Sequence, residues 1–307
     1  MSEATEAADT ADTDADDVAG DAADAAGGGT LYVVATPIGN LSDVTLRALD
    51  VLAAVPLVAA EDTRLTRRLL DRHGIAARLT SFHARSGPAR LAALLEHLRG
   101  GADLALVTDA GTPVVSDPGA DLVAAWAAGG GRVVPIPGAS AVLAAVSASG
   151  LAGPRWAFEG FLPRAGRERR ERLAAIAADR RGSVVFEAPG RIAATLRDLA
   201  AACGAERPGA VCRELTKLHE TIVRGPLGQL VTAAADGRIP ARGEFVLVVG
   251  MGPAAVDPGA VDEALAAARS EVERLVAAGT ARGDSARQVA ATSGLPRRRL
   301  YEAPAAD

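Results

Sequence analysis

Apolar residues in this chain come as short unbroken runs separated by longer stretches with helical spacing, the pattern of buried strands alternating with helices. Residues 30–35 (TLYVVA), 57–60 (LVAA), 104–107 (LALV) and 132–136 (RVVPI) read as strands. Between them, Ser42 or Asp43 is placed to cap a helix carrying Leu46, Leu49, Val51 and Leu52, and residues 91–98 and 120–128 have helical periodicity. Such alternation predicts a mostly parallel sheet covered on both faces.

The pattern restarts after Gly150. Residues 156–161 and 183–186 read as strands on either side of an arginine-rich helical stretch. Then follow a helix at 192–202, strands at 210–213 and 220–224, a helix at 227–235 and a last strand at 244–249. From Pro258 only helical patterns remain. The expected organisation is a tail at 1–29, an α/β domain at 30–146, a junction at 147–155 marked by Gly150, Gly153 and Pro154, a second α/β domain at 156–253, and a small helical unit of helix-turn-helix type at 260–303.

Composition narrows the class. A length of 307 residues suits about two domains, and 49% hydrophobic residues supply a core. Aromatics are only 3%, so that core rests on Ala, Val and Leu. The formal charge of −5 is uneven: residues 1–29 hold nine acids and no base, leaving 33 bases against 29 acids elsewhere. An Ala/Asp/Gly segment with so little apolar surface is expected to be disordered, and it lacks the basic start and apolar run of a secretory signal. No apolar run reaches the ~18–20 residues that a membrane span needs. Cys203 and Cys212 make neither a disulfide framework nor a CxxC pair, and the four histidines have no ligand spacing. A cytoplasmic, reduced, metal-free protein is expected.

Three loops follow apolar strands: 36–43 (TPIGNLSD), 108–113 (TDAGTP) running on to 116–119 (SDPG), and 135–141 (PIPGASA). In an open α/β sheet, ligands bind at the carboxyl ends of the strands. Glycine allows close backbone approach, and proline keeps these segments non-helical, leaving backbone groups to bond a ligand. Three such loops in register argue for one shared pocket. Neither a GxxxxGK[ST] loop nor a GxGxxG fingerprint after the first strand is present, so the ligand does not need a phosphate cradle. A sulfonium nucleoside such as S-adenosylmethionine meets that condition.

These loops, together with 61–64 (EDTR), 158–163 (FEGFLP), 213–217 (RELTK) and 243–246 (GEFV), resemble the bacterial RsmI family, the 16S ribosomal RNA cytidine 2′-O-methyltransferases among the tetrapyrrole methylases. The likeness runs from about residue 30 to the C-terminus. It implies a two-domain class III α/β methyltransferase with a mostly parallel N-terminal sheet, a mixed C-terminal sheet and a small helical C-terminal unit. It also implies S-adenosylmethionine folded in the cleft between the α/β domains, a homodimer, and 16S ribosomal RNA of the small subunit as partner. Matched motif to motif, Pro37, Ile38 and Gly39 line the cofactor pocket, and Asp109 takes a polar group of the cofactor's ribose or amino-acid moiety. Gly111, Thr112, Ser140 and Ala141 contact it mainly through backbone, and Phe186, Arg213 and Glu244 close over it from the second domain. Two segments depart from the family: Gly190 stands where relatives carry histidine, and 82–86 (FHARS) lacks their acidic continuation.

Attack of a ribose hydroxyl on a sulfonium methyl needs alignment in a water-poor cleft more than covalent help, and a base need only remove the hydroxyl proton. Candidates for that base are Glu61, Glu187 and Lys217, with Asp62, Glu214 and His219 beside them. The 61–64 segment also reads as a helix N-terminus with acids at the dipole, and 213–217 as a salt-bridged edge. For RNA phosphates the candidates are Arg64, the run Arg164, Arg167, Arg169, Arg170 and Arg172, and Arg297, Arg298 and Arg299. Glu168 and Glu171, interleaved with the middle run, leave open an ordinary ion-paired helix face. Two other functions compete with ribose methylation: methylation of a tetrapyrrole or other small molecule by the same fold, and non-catalytic RNA binding. The RELTK and EDTR segments and the helical unit count against the first, and the completeness of the cofactor motifs against the second.

Overall fold

The computed structural model describes residues 28–252 and 258–301, so the tail expected to be disordered lies, up to residue 27, outside the described residues. The chain divides into two compact units, Met1–Gly252 and Pro253–Asp307.

The first unit holds two five-stranded sheets. One joins β1 (Leu31–Val34), β2 (Leu57–Ala60), β3 (Leu79–Ser81), β4 (Leu104–Val107) and β5 (Val133–Ile136) in the order β3-β2-β4-β1-β5, all parallel. The helices of this half are α1 (Leu46–Ala54), α2 (Thr63–Arg72), α3 (Pro88–Arg99), α4 (Ala120–Ala128) and α5 (Ala141–Ser149). In β4, Leu104 and Leu106 pack with Leu94, Leu98, Leu122 and Trp126 of α3 and α4, while Ala105 and Val107 pack with Ala48, Leu52 and Leu70 of α1 and α2. Burial on both faces is why these strands are unbroken apolar runs. The cap of α1 is Thr45, whose hydroxyl oxygen accepts the N–H of Ala48 at 3.2 Å, and not Ser42 or Asp43. Those two residues sit in a 3-10 turn capped by Asn40, and the extended Val44 separates that turn from the helix.

The second sheet joins β6 (Trp156–Phe161), β7 (Gly182–Glu187), β8 (Pro208–Arg213), β9 (Thr221–Pro226) and β10 (Phe245–Val249) in the order β6-β7-β10-β8-β9. Only β6 and β7 pair in parallel, so the sheet is mixed. On one face Val185, Val211, Leu247 and Val249 lie under α6 (Gly166–Ala178), α7 (Ile192–Cys203) and α8 (Leu227–Ala235). On the other, Val184, Ala210, Cys212, Val246 and Val248 meet Val142 and Ala145 of α5, together with Ile38. By sequence α5 belongs to the first half, yet it roofs the second sheet. It runs through Ser149, into the expected junction, and stops at the left-handed Gly150 (φ 68°).

The second unit consists of α9 (Pro258–Ala277), α10 (Arg282–Ser293) and α11 (Arg297–Tyr301), with its own core of Leu265, Val272, Ala286, Val289 and Leu300. A left-handed Gly294 ends α10. No helix among the described residues is long and apolar enough to cross a membrane.

Candidate active site

Because β1 lies between β4 and β5, the loops that leave these three strands start side by side. They are tied together. Thr36 and Gly111 exchange backbone hydrogen bonds of 2.9 and 3.0 Å, and the Thr112 hydroxyl donates to the carbonyl of Ala139 at 3.3 Å. Gly111 holds this bridge at φ 89°, a conformation that favours glycine. The first loop also reaches the second sheet, where the Asn40 N–H donates to the Thr216 hydroxyl at 3.1 Å.

Between the loops and the second sheet lies a cavity of about 350 Å³, within the size range of small-molecule sites. The first half contributes Ile38, Gly111, Thr112, Asp117, Ser140 and Ala141, and the second Phe161, Phe186, Glu187, Cys212, Glu244 and Val246. Phe186, Val246 and Cys212 are one cross-strand row over β7, β10 and β8. Among the described residues, three carboxylates line the cavity and no Lys, Arg or His does. Glu187 is engaged, accepting from the Thr195 hydroxyl at 2.5 Å and the Ala188 N–H at 2.7 Å and pairing with Arg191 at 3.1 Å. Glu244 pairs with Lys217 at 3.0 Å. Asp117 has no cationic partner among the described residues. Burial, then the charge of Glu61, push its carboxyl up to about 6 against the opposing pull of a hydrogen bond with Thr108.

Of the residues expected to hold the cofactor, Ile38, Gly111, Thr112, Ser140, Ala141, Phe186 and Glu244 line this cavity. Pro37 and Gly39 flank Ile38 without forming its wall. Asp109 is off the wall as well. Its Oδ1 accepts the N–H of Asp62 at 2.9 Å, and burial, then Glu61, raise its pKa. Arg213 is turned away, because strand alternation gives Cys212 the cavity side of β8. Its guanidinium donates to the carbonyls of Arg242 at 2.6 Å and His219 at 3.2 Å. Asp117 and Phe161 are wall residues that motif matching passes over, although the SDPG and FEGFLP segments containing them stand out in the sequence.

The proton-acceptor candidates fare differently from one another. Glu61 lies off the cavity wall and accepts the Thr108 hydroxyl at 2.7 Å. Asp62 caps α2, and its bonds from the side chain and backbone N–H of Arg64 hold it down to about 2. That ion pair, at 2.6 Å, also engages the exposed Arg64. Glu187 is committed to three donors, which leaves it a structural role in the floor of the cavity. For Lys217, desolvation lowers the pKa but hydrogen bonds to Glu214 and Glu244 outweigh it, so the amine stays protonated and cannot accept a proton.

Among the arginines expected at RNA, Arg169 is a correction. It is buried and bonds Asp198 at 2.7 Å, the Pro163 carbonyl at 2.8 Å and the Thr195 hydroxyl at 2.9 Å. With Leu173 and Ile176 it forms the inward stripe of α6, so it cannot reach a phosphate outside. Arg167 pairs with Glu171 at 2.6 Å and Arg172 with Glu159 at 2.8 Å. Arg164 and Arg170 are exposed and have no ion-pair partner among the described residues. Arg297, Arg298 and Arg299 are exposed at the start of α11, where Arg297 donates to the carbonyl of Gly283 at 3.3 Å.

Two sheets, one parallel and one mixed, with a cavity at the strand ends, have the fold of the tetrapyrrole methylases. A sequence model of Tetrapyrrole (Corrin/Porphyrin) Methylases matches residues 30–231. The fold is similar to that of uroporphyrin-III C-methyltransferase from Thermus thermophilus complexed with S-adenyl homocysteine, with a TM-score of 0.53 and 22% identity over 72% of this chain and 97% of that one. Much higher identity links the chain to two proteins named Ribosomal RNA small subunit methyltransferase I. That of Synechocystis sp. is 45% identical over 274 residues, 89% of this chain and 96% of the relative. That of Xylella fastidiosa is 43% identical over 273 residues, 89% of this chain and 98% of the relative. The chain belongs to the ribosomal RNA small subunit methyltransferase I family of the tetrapyrrole methylases.

Proposed function

We propose that this protein transfers a methyl group from S-adenosylmethionine to the ribose 2′-hydroxyl of a cytidine in 16S ribosomal RNA, acting in the cytoplasm as a homodimer on the small ribosomal subunit. The observation that carries the reading is a cavity at the strand ends in which Asp117 is a lining carboxylate without a cationic partner among the described residues, in a chain 45% identical over 89% of its length to a ribosomal RNA small subunit methyltransferase I. With Glu187 and Glu244 held in ion pairs, the charge left on the lining is that of Asp117, which disfavours phosphate and favours a ligand with net positive charge. S-adenosylmethionine fits, because its sulfonium and ammonium groups outweigh its one carboxylate. Ile38, Gly111, Thr112, Ser140 and Ala141 would hold it from the first half, and Phe186 and Glu244 from the second.

Bound there, the cofactor supplies an activated methyl group. The chain's own part is to align and to dehydrate. Backbone groups of the bridged loops are fixed before the ligand arrives, so little ordering remains to be done on binding. Phe186, Val246 and Cys212 exclude water from one wall. Asp117, without a cation of its own, provides the negative charge toward which the cofactor's positive end is drawn.

The test is calorimetry with S-adenosylmethionine, followed by transfer of labelled methyl to small subunits from a strain lacking the activity. Nuclease digestion and mass spectrometry should yield 2′-O-methylcytidine. Cofactor binding with label on a tetrapyrrole and none on RNA would favour the small-molecule alternative, and no cofactor binding at all would reject the enzyme.

A further inference from the structure

Phe161 stands apart from the other phenylalanines. It is 57% exposed at the end of β6, on the lining of the cofactor cavity, in a chain with few aromatics. Leaving a phenylalanine face in water forgoes its burial energy, and here the backbone is reshaped to place it. Three positions separate Phe158 from Phe161, so regular alternation would send their rings to opposite faces of the sheet. The pairing of β6 with β7 slips by one residue between Phe158 and Gly160, and Gly160 takes a φ of 61°. That bulge returns Phe161 to the face of Phe158. Both rings then stand edge-on to Phe186, at 4.9 and 5.5 Å between centroids. The same glycine lets β6 approach the SDPG loop, since a Cβ on it would lie 3.1 Å from the Ser116 hydroxyl.

A cavity of about 350 Å³ has room for one nucleoside-sized ligand. A second nucleotide, bringing its hydroxyl to that ligand, must therefore be held at the rim. Resting on the methyl-transfer reading above, we propose that the open face of Phe161 is the platform on which the target nucleobase stacks, turned out of its strand, while its ribose faces the cofactor. Single-stranded or extruded bases are commonly held on aromatic faces in this way. Arg164, three residues on, is exposed and has no ion-pair partner among the described residues, which suits the phosphate of the same nucleotide. Phe161 is thus a substrate-positioning residue.

The test uses the full chain with Phe161→Ala, Phe161→Leu and Phe161→Trp, measuring kcat and KM on small subunits and calorimetric affinity for S-adenosylmethionine. Loss of one stacking contact lowers kcat/KM by roughly 5–150-fold. The Ala and Leu variants should both show that loss, mainly as raised KM for RNA, and Trp should restore most of it. Because one edge of the ring also lines the cavity, cofactor affinity in the Ala and Leu variants should fall by clearly less than kcat/KM for RNA, and retained cofactor binding shows that the variants are folded. A Leu variant equal to wild type would mean that bulk, not an aromatic face, is needed, and would overturn the proposal. So would cofactor affinity falling in step with activity, which would make the ring a wall of the cofactor site only. A wild-type protein that binds cofactor but methylates no RNA would instead overturn the function reading, and this one with it.

Discussion

Gly39 and Lys217 leave no room for a methyl group between them: a Cβ on Gly39 would lie 2.4 Å from Cγ of Lys217 and 2.9 Å from the carbonyl oxygen of Leu215. Lys217 in turn bridges Glu214 and Glu244, both at 3.0 Å, and Glu244 lines the cavity. The lysine could swing aside, but the carbonyl belongs to the backbone and cannot. Gly39→Ala should therefore cost about 1–3 kcal/mol of stability through overpacking and weaken cofactor binding as the wall shifts. Denaturant unfolding and calorimetry check both, and an Ala variant matching wild type in each would disprove the coupling.

Asp117 links the cavity to pH. Its pKa in the folded chain is about 6, above the ordinary 3.8. A raised folded pKa means the native state binds more protons than the unfolded chain between those values. Its contribution to stability is thus full below about 4 and is lost as pH rises through about 6. A cationic ligand prefers the ionised form, so cofactor affinity should rise over that upper range. Asp117→Asn should stabilise the ligand-free protein at neutral pH, weaken cofactor binding there, and flatten both pH dependences. Affinity that climbs through about pH 6 as steeply in the Asn variant as in wild type would remove Asp117 from the binding of charge.

Arg169→Ala removes the guanidinium that ties α6 to Asp198 and Thr195 of α7 and to the Pro163 carbonyl before α6. Asp198 is 43% exposed, so water takes up its charge, and the cost is mainly that of the lost buried hydrogen bonds, about 1–3 kcal/mol. Stability should fall by that order while RNA affinity of the folded protein stays the same. Normal stability with weakened RNA binding would return Arg169 to the RNA surface.

The remaining arginines separate by their salt response. If Arg164, Arg170 and the Arg297–Arg299 cluster grip phosphates, each contact removed reduces the slope of log K against log salt by roughly 0.7–0.9. Neutralising Arg167, already paired with Glu171, should leave the slope alone. Equal slopes for wild type and all these variants would mean that none of them touches RNA.

The three strand-end loops are legible in the sequence because each couples an unbroken apolar run to a Gly/Pro turn. The edge strand β3 is not, since three half-buried residues are too few to display a period. Arg169 could have been placed from its neighbours: Leu173 and Ile176 at i+4 and i+7 share its face, though the surrounding charges mask the stripe. Arg213 is settled only once Cys212 is known to face the cavity, because alternation fixes relative and not absolute direction. Asp117 is hardest. Its orientation depends on left-handed backbone at Val114 and Ser116, with φ of 75° and 65°, residue types that give no local sign of that conformation.

The place of β1 in the middle of its sheet has a consequence for how the chain is made. It is the first strand among the described residues, yet its neighbours β4 and β5 follow roughly seventy and a hundred residues later. By contrast, β8 and β9 are joined by a short turn and can pair as soon as both have emerged. Pairings distant in sequence form slowly, because the intervening chain must be gathered before any contact rewards it. The segment LYVV therefore has no partner in its sheet until β4 is made, after about a quarter of the protein has been added behind it. Over that interval an apolar strand with both edges open leaves the nascent chain prone to aggregation.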